Sequence, residues 1–479
     1  MNFVIYDLTL LVVFAIAISI FLYSRRNNLK KEGLLLLYKS DWGIKLIERI
    51  GKKYPRTIKI LSYLSIILGY LLMITMVYLF VKIVMVYVFN PEIVRAIKIP
   101  PIMPLIPYLP SIFKLNFLPP FYFIYWVIII AIIAIPHELA HGICAAYNKI
   151  KIKNTGFGFF PFFLPVFLAA FVEPDEKGMN KKDKFSQMAI LSSGTFANVV
   201  TAVFFLFILW AFFSLFFSPI GVVFDTYSYS IINISDISKI NNLSVINSSY
   251  DGVLDLMDNT NINIIEANNI KYIGIKTILE ESANKELFKK QGKMVLYDYS
   301  PAIKNGIIGA ITKINNVKID SKEKLAKELS FKKPGEEIEI QTFDGETYNS
   351  QKIILEENPE KEGMAWLGIG FIEQERQGIM GNIMNAMSRF KEPNVYYQGK
   401  FAFSDFIYNL LWWIILVSIS VALINMLPIG IFDGGRFFFL TMTAVTGSEK
   451  IAKKTFSTLT LIFLLLLVLM MFFWAFSFW

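Results

Sequence analysis

The segment IPHELAHGIC, Ile135–Cys144, holds both histidines and the single cysteine of this 479-residue chain. His137 and His141 are separated by one helical turn, and Glu138 follows the first of them, which is the HExxH spacing. On a helix this spacing places two imidazoles on one face, where both can bind the same zinc ion. Glu138 can then take a proton from zinc-bound water and return it to a leaving amine. The segment therefore predicts a catalytic zinc site.

A catalytic zinc ion needs a third protein ligand and leaves a further position for water. Cys144 follows His141 on the same helical face, although a small thiol in a packed helix is more often part of the core. Asp433 is the stronger candidate, because it follows an apolar span in NMLPIGIFDGG (Asn425–Gly435), where proline and glycine end the helix. The alternative role of Asp433 is to cap the next helix.

The composition indicates that these groups are embedded in a membrane protein. The chain is 55% hydrophobic and 18% charged, and its mean hydropathy is +0.51, which is unusual for a soluble domain. An acid and two histidines inside an apolar helix are costly, which favours a function over chance. Much of the net charge of +9 lies in short loops beside apolar spans, so it indicates membrane topology and lipid contact and argues against nucleic-acid binding.

Six apolar segments are long enough to cross ~30 Å of hydrocarbon as helices. The predicted spans are, approximately, Phe3–Tyr23, Ile60–Val88, Phe121–Tyr147, Phe185–Phe217, Phe403–Leu427 and Phe456–Phe478. Lysine and arginine cluster after the first and third spans and before the sixth, so the positive-inside rule places these loops in the cytoplasm. The HExxH motif and Asp433 then lie at a similar depth, toward the cytoplasmic side. An interfacial helix is expected over residues 33–56.

Composition also divides the chain into five predicted parts. They are two N-terminal spans with a basic loop (1–120), the HExxH span with the span after it (121–218), an extracytoplasmic region (219–377), an amphipathic interfacial linker (378–402) and the C-terminal spans (403–479). Residues 219–402 are polar with alternating strand patterns, so they predict a soluble domain. A methionine-rich face in the linker predicts either a gate for substrate helices or an interfacial anchor.

Three motifs together resemble the site-2 protease family of intramembrane zinc metalloproteases. They are HELAH in the third span, SSGTFANVV (Ser192–Val200) in the fourth and NMLPIGIFDGGRFFF after the fifth. The resemblance covers spans three to six and the domain between spans four and five. Thr195 and Phe432 replace a proline and a leucine of the family's pattern, beside the residues that carry the chemistry.

The resemblance implies a role for six residues of this chain. It implies that His137, His141 and Asp433 bind zinc, that Glu138 is the catalytic base, that Asn425 binds the substrate backbone and that Asn198 supports the site. It also implies that Phe157–Pro174, which is apolar but broken by glycine and proline, is a re-entrant β-hairpin. The edge of such a hairpin can accept an unwound substrate as an added strand. The alternative is a loop lying in the membrane interface.

The segment beginning at Tyr299 resembles a PDZ domain of the type associated with bacterial proteases. The resemblance spans about residues 285–372 and includes a predicted helix, Lys322–Leu329, and a predicted closing strand, Trp366–Phe371. Such domains bind peptide ends or extended segments by strand addition, and a role as a size filter for substrates is the alternative. Residues 219–290 stay open as either an insertion or a second PDZ-like unit.

These observations predict an α-helical polytopic membrane protein with an extracytoplasmic α+β PDZ-like domain and a re-entrant β-hairpin. The predicted function is a zinc metalloprotease that cuts transmembrane helices of other membrane proteins. Its expected partners are those substrates and the lipid bilayer of the cell membrane. A non-catalytic membrane adaptor of the same fold is the alternative. A transporter would require polar residues in several spans, and a protease of the prenyl-protein kind would require a glutamate as the third ligand.

Overall fold

Long apolar helices dominate the fold, because a segment that crosses lipid must satisfy its backbone hydrogen bonds internally. The computed structural model describes residues 3–32, 35–115, 117–159, 168–246, 248–259, 262–282, 285–372 and 390–476. The α-helices described there are α1 (Phe3–Ser24), α2 (Ile44–Lys53), α3 (Pro55–Phe89), α4 (Pro91–Ile97), α5 (Leu109–Ile112), α6 (Phe123–Tyr147), α7 (Glu176–Asn180), α8 (Lys184–Phe216), α9 (Tyr250–Asp255), α10 (Lys276–Glu281), α11 (Lys285–Gln291), α12 (Pro301–Lys304), α13 (Lys322–Ser330), α14 (Ser404–Asn425), α15 (Asp433–Thr446) and α16 (Glu449–Phe476).

The strands are mostly short and lie outside the long helices. Those that the structure describes are β1 (Leu29–Glu32), β2 (Leu35–Ser40), β3 (Ile152–Phe159), β4 (Leu168–Pro174), β5 (Phe217–Val223), β6 (Thr226–Tyr227), β7 (Tyr229–Asn233), β8 (Ile237–Ile240), β9 (Leu243–Ser244), β10 (Asn263–Ala267), β11 (Ile270–Gly274), β12 (Lys293–Asp298), β13 (Ala310–Ile314), β14 (Val317–Lys318), β15 (Glu337–Phe343), β16 (Tyr348–Ile354), β17 (Glu356–Asn358), β18 (Lys361–Trp366), β19 (Ile369–Gly370) and β20 (Val395–Gly399). Short 3-10 helices cover Arg26–Asn28 and Ile234–Asp236.

Within the described residues, six helices have the length and composition to cross a membrane. These are α1, α3, α6, α8, α14 and α16, and they confirm the six spans predicted from the sequence. Helix α3 has 35 residues and so is about 50 Å long, well beyond the ~30 Å that the hydrocarbon requires. One or both of its ends therefore extend past the hydrocarbon, or the helix tilts within it.

The chain forms two compact units, residues 1–212 with 405–479, and residues 213–404. The second unit contains a sheet in the order β7-β12-β11-β10-β8-β9 and another in the order β16-β15-β13-β5-β20, with β14 on β13. Each has its own apolar core, with Ile265 buried in the first and Ile311 in the second. The second sheet takes in strands outside the predicted 285–372 segment, and β20 lies within the predicted linker. The methionine-rich residues 378–389 of that linker lie outside the described residues.

Of two elements predicted within the second unit, the structure places one as expected and divides the other. Helix α13, Lys322–Ser330, occupies the position of the predicted helix. The predicted closing strand Trp366–Phe371 is instead divided, because β18 ends at Trp366 and β19 begins at Ile369. Gly368 lies between them with a φ of +81°, a left-handed conformation that interrupts a continuous strand.

The first unit contains a four-stranded sheet in the order β1-β2-β3-β4. Strands β3 and β4 pair antiparallel within the predicted hairpin segment, and residues 160–167 between them lie outside the described residues. Strand β2 pairs with β3 from Leu36 opposite Phe159 to Ser40 opposite Thr155. Strand β4 is therefore an edge strand of this sheet.

The predicted interfacial helix over residues 33–56 is wrong in its first part. Residues Leu35–Ser40 form β2, and the helix α2 begins only at Ile44. Gly43 has a φ of +88°, a left-handed conformation that separates strand from helix. Pairing with β2 also gives the backbone of β3 its second set of hydrogen-bond partners, which an apolar surrounding would not supply.

A charged cluster ties three strands of this sheet together. The ammonium group of Lys39 on β2 lies 2.8 Å from a carboxylate oxygen of Glu173 on β4. The Asn154 side chain on β3 donates to the same oxygen at 2.9 Å. These two hydrogen bonds lower the pKa of Glu173, because both favour the ionised carboxylate.

Candidate metal centre

The two histidines of α6 and the aspartate that starts α15 meet in the first unit. Nε2 of His137 and Nε2 of His141 are 3.0 Å apart. Oδ2 of Asp433 lies 3.6 Å from the first nitrogen and 3.3 Å from the second. Among the described residues, these three side chains form the cluster whose ligand atoms all lie within 4.8 Å of one another. Two imidazoles and one carboxylate are a donor set that zinc accepts.

Helix α8 holds Nδ1 of His141, the ring nitrogen that points away from the cluster. Nδ1 of His141 lies 2.6 Å from the backbone carbonyl oxygen of Ile190 on α8. A carbonyl can only accept, so Nδ1 carries the proton and Nε2 keeps its lone pair for a metal. This arrangement, a ligating imidazole that donates its other N–H to a carbonyl, is the usual support of a metal-binding histidine.

Nδ1 of His137, the ring nitrogen that points away from the cluster, faces Asn198. Asn198 lies one helical turn beyond Gly194 on α8. The Asn198 amide nitrogen lies 3.0 Å from Nδ1 of His137, and Oδ1 of Asn198 is buried without a hydrogen-bond partner. Rotating the amide by 180° places Oδ1 where it accepts a hydrogen bond from a protonated Nδ1. That orientation satisfies the orphaned oxygen and leaves Nε2 of His137 free for a metal. The residues present therefore fit a bound ion.

Gly194 lets α8 approach the two imidazoles. A Cβ atom built on this residue would lie 2.2 Å from Nε2 of His141 and 2.7 Å from Cε1 of His137. Both distances are shorter than any ordinary contact. Gly194 is the only glycine of α8, and it shares a helical face with Asn198. The motif SSGTFANVV thus contributes both a close approach and a hydrogen-bonding group to the centre.

The segment before Asp433 folds back tightly on the end of α14. A Cβ atom on Gly434 would lie 2.4 Å from the backbone carbon of Met426, and one on Gly435 would lie 2.3 Å from the carbonyl oxygen of Ile429. Helix α15 begins at Asp433 with Phe432 as its N-cap residue, and no side chain caps it. The alternative role of Asp433 as a helix cap is therefore wrong, and its carboxylate is directed at the imidazoles.

Helix α15 is held in place by the second span. The hydroxyl of Tyr70 on α3 lies 3.0 Å from the hydroxyl of Thr441, and its ring packs edge-on against Phe437 at 4.8 Å. Phe437 is fully buried. These contacts fix the helix that begins with Asp433.

The carboxylate of Glu138 points toward the four-stranded sheet. Its Oε2 accepts a hydrogen bond of 3.0 Å from the backbone N–H of Val172 on β4. Strand β4 is the last strand in the order of this sheet. Glu138 therefore accepts a hydrogen bond from a backbone N–H group on an edge strand of the sheet. Asn425 is half-buried at the end of α14, and its neighbour Met426 lies against Gly434.

Cys144 lies apart from the three clustered side chains. It is 4% exposed, and its sulfur lies 3.8 Å from the hydroxyl oxygen of Ser62 on α3. Within the described part of the chain, the cluster of candidate ligands does not include it. Cys144 therefore packs between two helices, as the core interpretation expected.

The first span supports the metal centre through a residue that sequence reasoning missed. The carboxylate of Asp7 on α1 accepts hydrogen bonds from the backbone N–H groups of Phe123 and Ile124, at 2.6 and 2.9 Å. These are first-turn donors of α6, which have no partner within their own helix, and an anion there is favoured by the helix dipole. The hydroxyl of Tyr108 also donates to Asp7 at 2.5 Å; burial and this hydrogen bond raise the pKa of Tyr108.

Asp7 and Gly194, which sequence reasoning did not assign to the site, each left a signal in the sequence. Asp7 is the only acid of α1, and an ionisable residue inside an apolar span is a functional candidate by default. Gly194 precedes Asn198 by four residues, which places the two on one helical face. The backbone groups of Ile190 and Val172 left no such signal, because any residue type supplies them.

The fold and the cluster define a class: a multi-pass membrane protein in which two histidines and an aspartate, between buried and half-buried, form a cluster that could hold a metal ion. Comparison with known proteins makes this specific. The model of peptidase family M50 matches residues 125–470, well over half of the chain, and the chain belongs to this family. Members of the family are zinc metalloproteases of the site-2 protease type.

A curated relative gives less information. The "Uncharacterized protein MJ0971" of Methanocaldococcus jannaschii is 29% identical over 198 residues, which is 40% of this chain and 48% of that protein. The chain thus spans about half the length of this relative, whose name assigns no activity.

Proposed function

We propose that this protein is a zinc endopeptidase that hydrolyses peptide bonds within transmembrane helices of other membrane proteins. The observation that carries the proposal is the meeting of His137, His141 and Asp433, with their ligand atoms within 4.8 Å, beside Glu138. Membership of peptidase family M50 supports it. Zinc would be held by these three side chains, and when bound it would supply a Lewis acid and lower the pKa of a bound water.

The protein's own residues would carry the remaining steps. Asn198 and the carbonyl of Ile190 would hold the two imidazoles in the tautomer that leaves each Nε2 free. Glu138 would take a proton from the attacking water and deliver it to the leaving amine. Its present partner, the N–H of Val172, is a neutral donor that keeps the carboxylate close to the site.

A substrate helix must unwind before it can be cut, because its backbone groups are bonded within the helix. Strand β4 would accept the unwound segment as an added strand. A substrate carbonyl would then replace Glu138 as the acceptor for the N–H of Val172 and release the carboxylate toward the reaction. Asn425, at the end of α14, would bind the substrate backbone on the other side.

The second unit would select or guide substrates. The sheet built around β13 and β15, with α13 beside it, supports a PDZ-like role for about residues 285–372, with an extended peptide as its ligand. The basic loops favour a position of this unit outside the cell membrane, with the metal centre toward the cytoplasm.

Cleavage of a model transmembrane peptide in vesicles, together with the zinc content of the protein, tests this function. We expect Glu138→Gln to retain zinc and to lose cleavage by about 100- to 10,000-fold, the usual contribution of a general base. Glu176→Gln, at an exposed position of α7, is the matched control and should cut normally. A zinc-loaded wild type that binds transmembrane peptides without cutting them would favour a non-catalytic adaptor.

A further inference from the structure

A cavity of about 300 Å³ lies between α3, α6 and α8, three of the helices that can cross the membrane. It borders the metal centre without belonging to it. On α6 the wall residues Pro136 and Ala140 each precede a histidine of the HExxH motif. On α8 the wall residues Ser193 and Ala197 precede Gly194 and Asn198. The same turns of two helices thus face the metal centre on one side and the cavity on the other.

The wall of the cavity offers no free hydrogen-bond donor from its hydroxyl groups. All four serine and threonine residues of the wall donate to carbonyls of their own helices, namely Ser62 to Ile58 at 2.8 Å, Ser65 to Ser62 at 3.0 Å, Ser193 to Ile190 at 2.7 Å and Thr201 to Ala197 at 2.9 Å. A buried water needs two to four polar partners, whereas apolar cavities of this kind stay dry and accept apolar ligands. The occupant expected here is therefore hydrocarbon.

The cavity opens onto the lipid-facing surface of the bundle. Its wall includes Leu61 on α3 and Val200 on α8, which are 39% and 50% exposed. Further apolar side chains, such as Val203, continue this exposed surface along α8. A surface of this composition on a membrane-spanning helix borders acyl chains. The cavity is therefore continuous with the hydrocarbon of the bilayer.

We infer that this cavity binds the end of a lipid acyl chain. Its volume is about twice that of an engineered protein cavity of about 150 Å³ that accepts benzene, so it holds a segment of one chain. The bound segment packs against α6 and α8 at the turns where Gly194 lies against the imidazoles. The lipid thereby supports the spacing between α6, which carries the two histidines, and α8, which carries the groups that orient them.

Photo-crosslinking in vesicles tests this inference on the full-length protein. The probe is a phosphatidylcholine with a diazirine near the end of one acyl chain, present as a small fraction of the lipid. After irradiation, mass spectrometry of the peptides should place adducts on the wall segment Ala140–Cys144, as well as on exposed positions. Cys144 is a sharp marker, because it lines the cavity and is only 4% exposed.

A pair of substitutions on α8 separates the cavity from the general lipid surface. Ala197→Phe fills the cavity and should reduce adducts on Ala140–Cys144 to the background level. Val203→Phe adds a ring of the same kind at a position that is 48% exposed and should leave those adducts unchanged. Ala140→Leu fills the cavity from the α6 side and serves if Ala197→Phe does not fold.

The inference would be overturned by wild-type adducts confined to exposed residues, with no label on Ala140–Cys144. Unchanged labelling of that segment in a folded Ala197→Phe protein would overturn it as well. The wild-type result decides the matter alone if neither cavity-filling variant folds. Because the measurement needs neither zinc nor peptide cleavage, its outcome is independent of the proposed protease function.

Discussion

Substituting Gly194 by alanine should weaken metal binding strongly while leaving the fold intact. The added Cβ would lie 2.2 Å from Nε2 of His141, and real Cβ contacts essentially never fall below 3.0 Å. The ring or the helix must therefore move by at least 3.0 − 2.2 = 0.8 Å. The His141 ring cannot move away from Gly194 freely, because its Nδ1 lies 2.6 Å from the backbone carbonyl oxygen of Ile190. Ile190 belongs to α8, the helix that also carries Gly194.

A displacement of this size is large compared with the tolerance of a zinc site. Ligand distances vary by only ~0.2 Å in good sites, and disturbing the groups that orient ligands typically reduces metal affinity 10- to 100-fold. We expect at least that loss for Gly194→Ala. The effect on the helix has the opposite sign, because alanine is favoured over glycine in a helix interior by about 1 kcal/mol. The displacement itself costs ~1–3 kcal/mol as overpacking, so the two effects partly offset each other, and the apo protein should stay folded with a free energy of unfolding no more than about 2 kcal/mol below that of the wild type.

Two measurements on detergent-purified protein separate these effects. Competition with a chelator gives the zinc affinity, and thermal unfolding of the chelator-treated protein gives the stability of the fold. Gly430→Ala is the matched control, since a Cβ there meets only the Phe456 ring at 3.4 Å, and it should bind zinc normally. Wild-type zinc affinity in Gly194→Ala would refute the steric reasoning. Loss of the apo fold would refute the prediction that the damage is local.

Two further predictions concern the groups that support the centre. Asn198→Ala removes the hydrogen-bond partner of His137 Nδ1 and should lower zinc affinity by about 10- to 100-fold. Asn198→Asp retains an acceptor and should bind zinc more tightly than the alanine variant. Equal zinc affinities of the wild type and Asn198→Ala in chelator competition would contradict the hydrogen-bond assignment. Asp7→Ala leaves the first-turn N–H groups of α6 without their acceptor and should lower the free energy of unfolding by about 1–3 kcal/mol, with zinc still bound at saturating concentration. Thr9→Ala, which removes only a hydroxyl bonded within α1, is its control in thermal unfolding, and equal midpoints for the two variants would exclude the capping role.

The spans could be predicted because their signal is local in the sequence. The candidate ligands could be predicted because histidine is rare in this chain. A run of apolar residues long enough to cross lipid is visible in any window of the sequence. With two histidines in the chain, the HExxH spacing stands out, and the requirement for a third ligand directs attention to Asp433. The predicted depth of the spans then gave a reason for these residues to meet.

The strand Leu35–Ser40 could not be predicted in the same way. A short apolar run fits either a buried strand or part of a helix, and periodicity alone does not distinguish them. What decides is pairing with β3, more than 100 residues later, which no local pattern reports. The contact between Glu138 and the N–H of Val172 is equally invisible, because the donor belongs to the backbone and its position depends on the whole sheet.

The first 124 residues lie outside the family match, yet they contact nearly every element that carries a residue of the metal centre. Asp7 of α1 caps the start of α6. On α3, Tyr70 fixes the helix that begins with Asp433. The hydroxyl of Ser65 accepts a hydrogen bond of 3.0 Å from Ser192, two residues before Gly194.

Each of these contacts fixes a helix rather than a ligand. The three candidate ligand atoms come from two helices that are distant in sequence, and α8 supplies the groups that orient the imidazoles. A metal site tolerates only small errors in ligand position, so the orientation of α6, α8 and α15 must be set before a metal binds. The N-terminal helices and β2 supply much of that preorganisation. They therefore help to form the candidate centre, although none of their described residues belongs to the cluster of His137, His141 and Asp433.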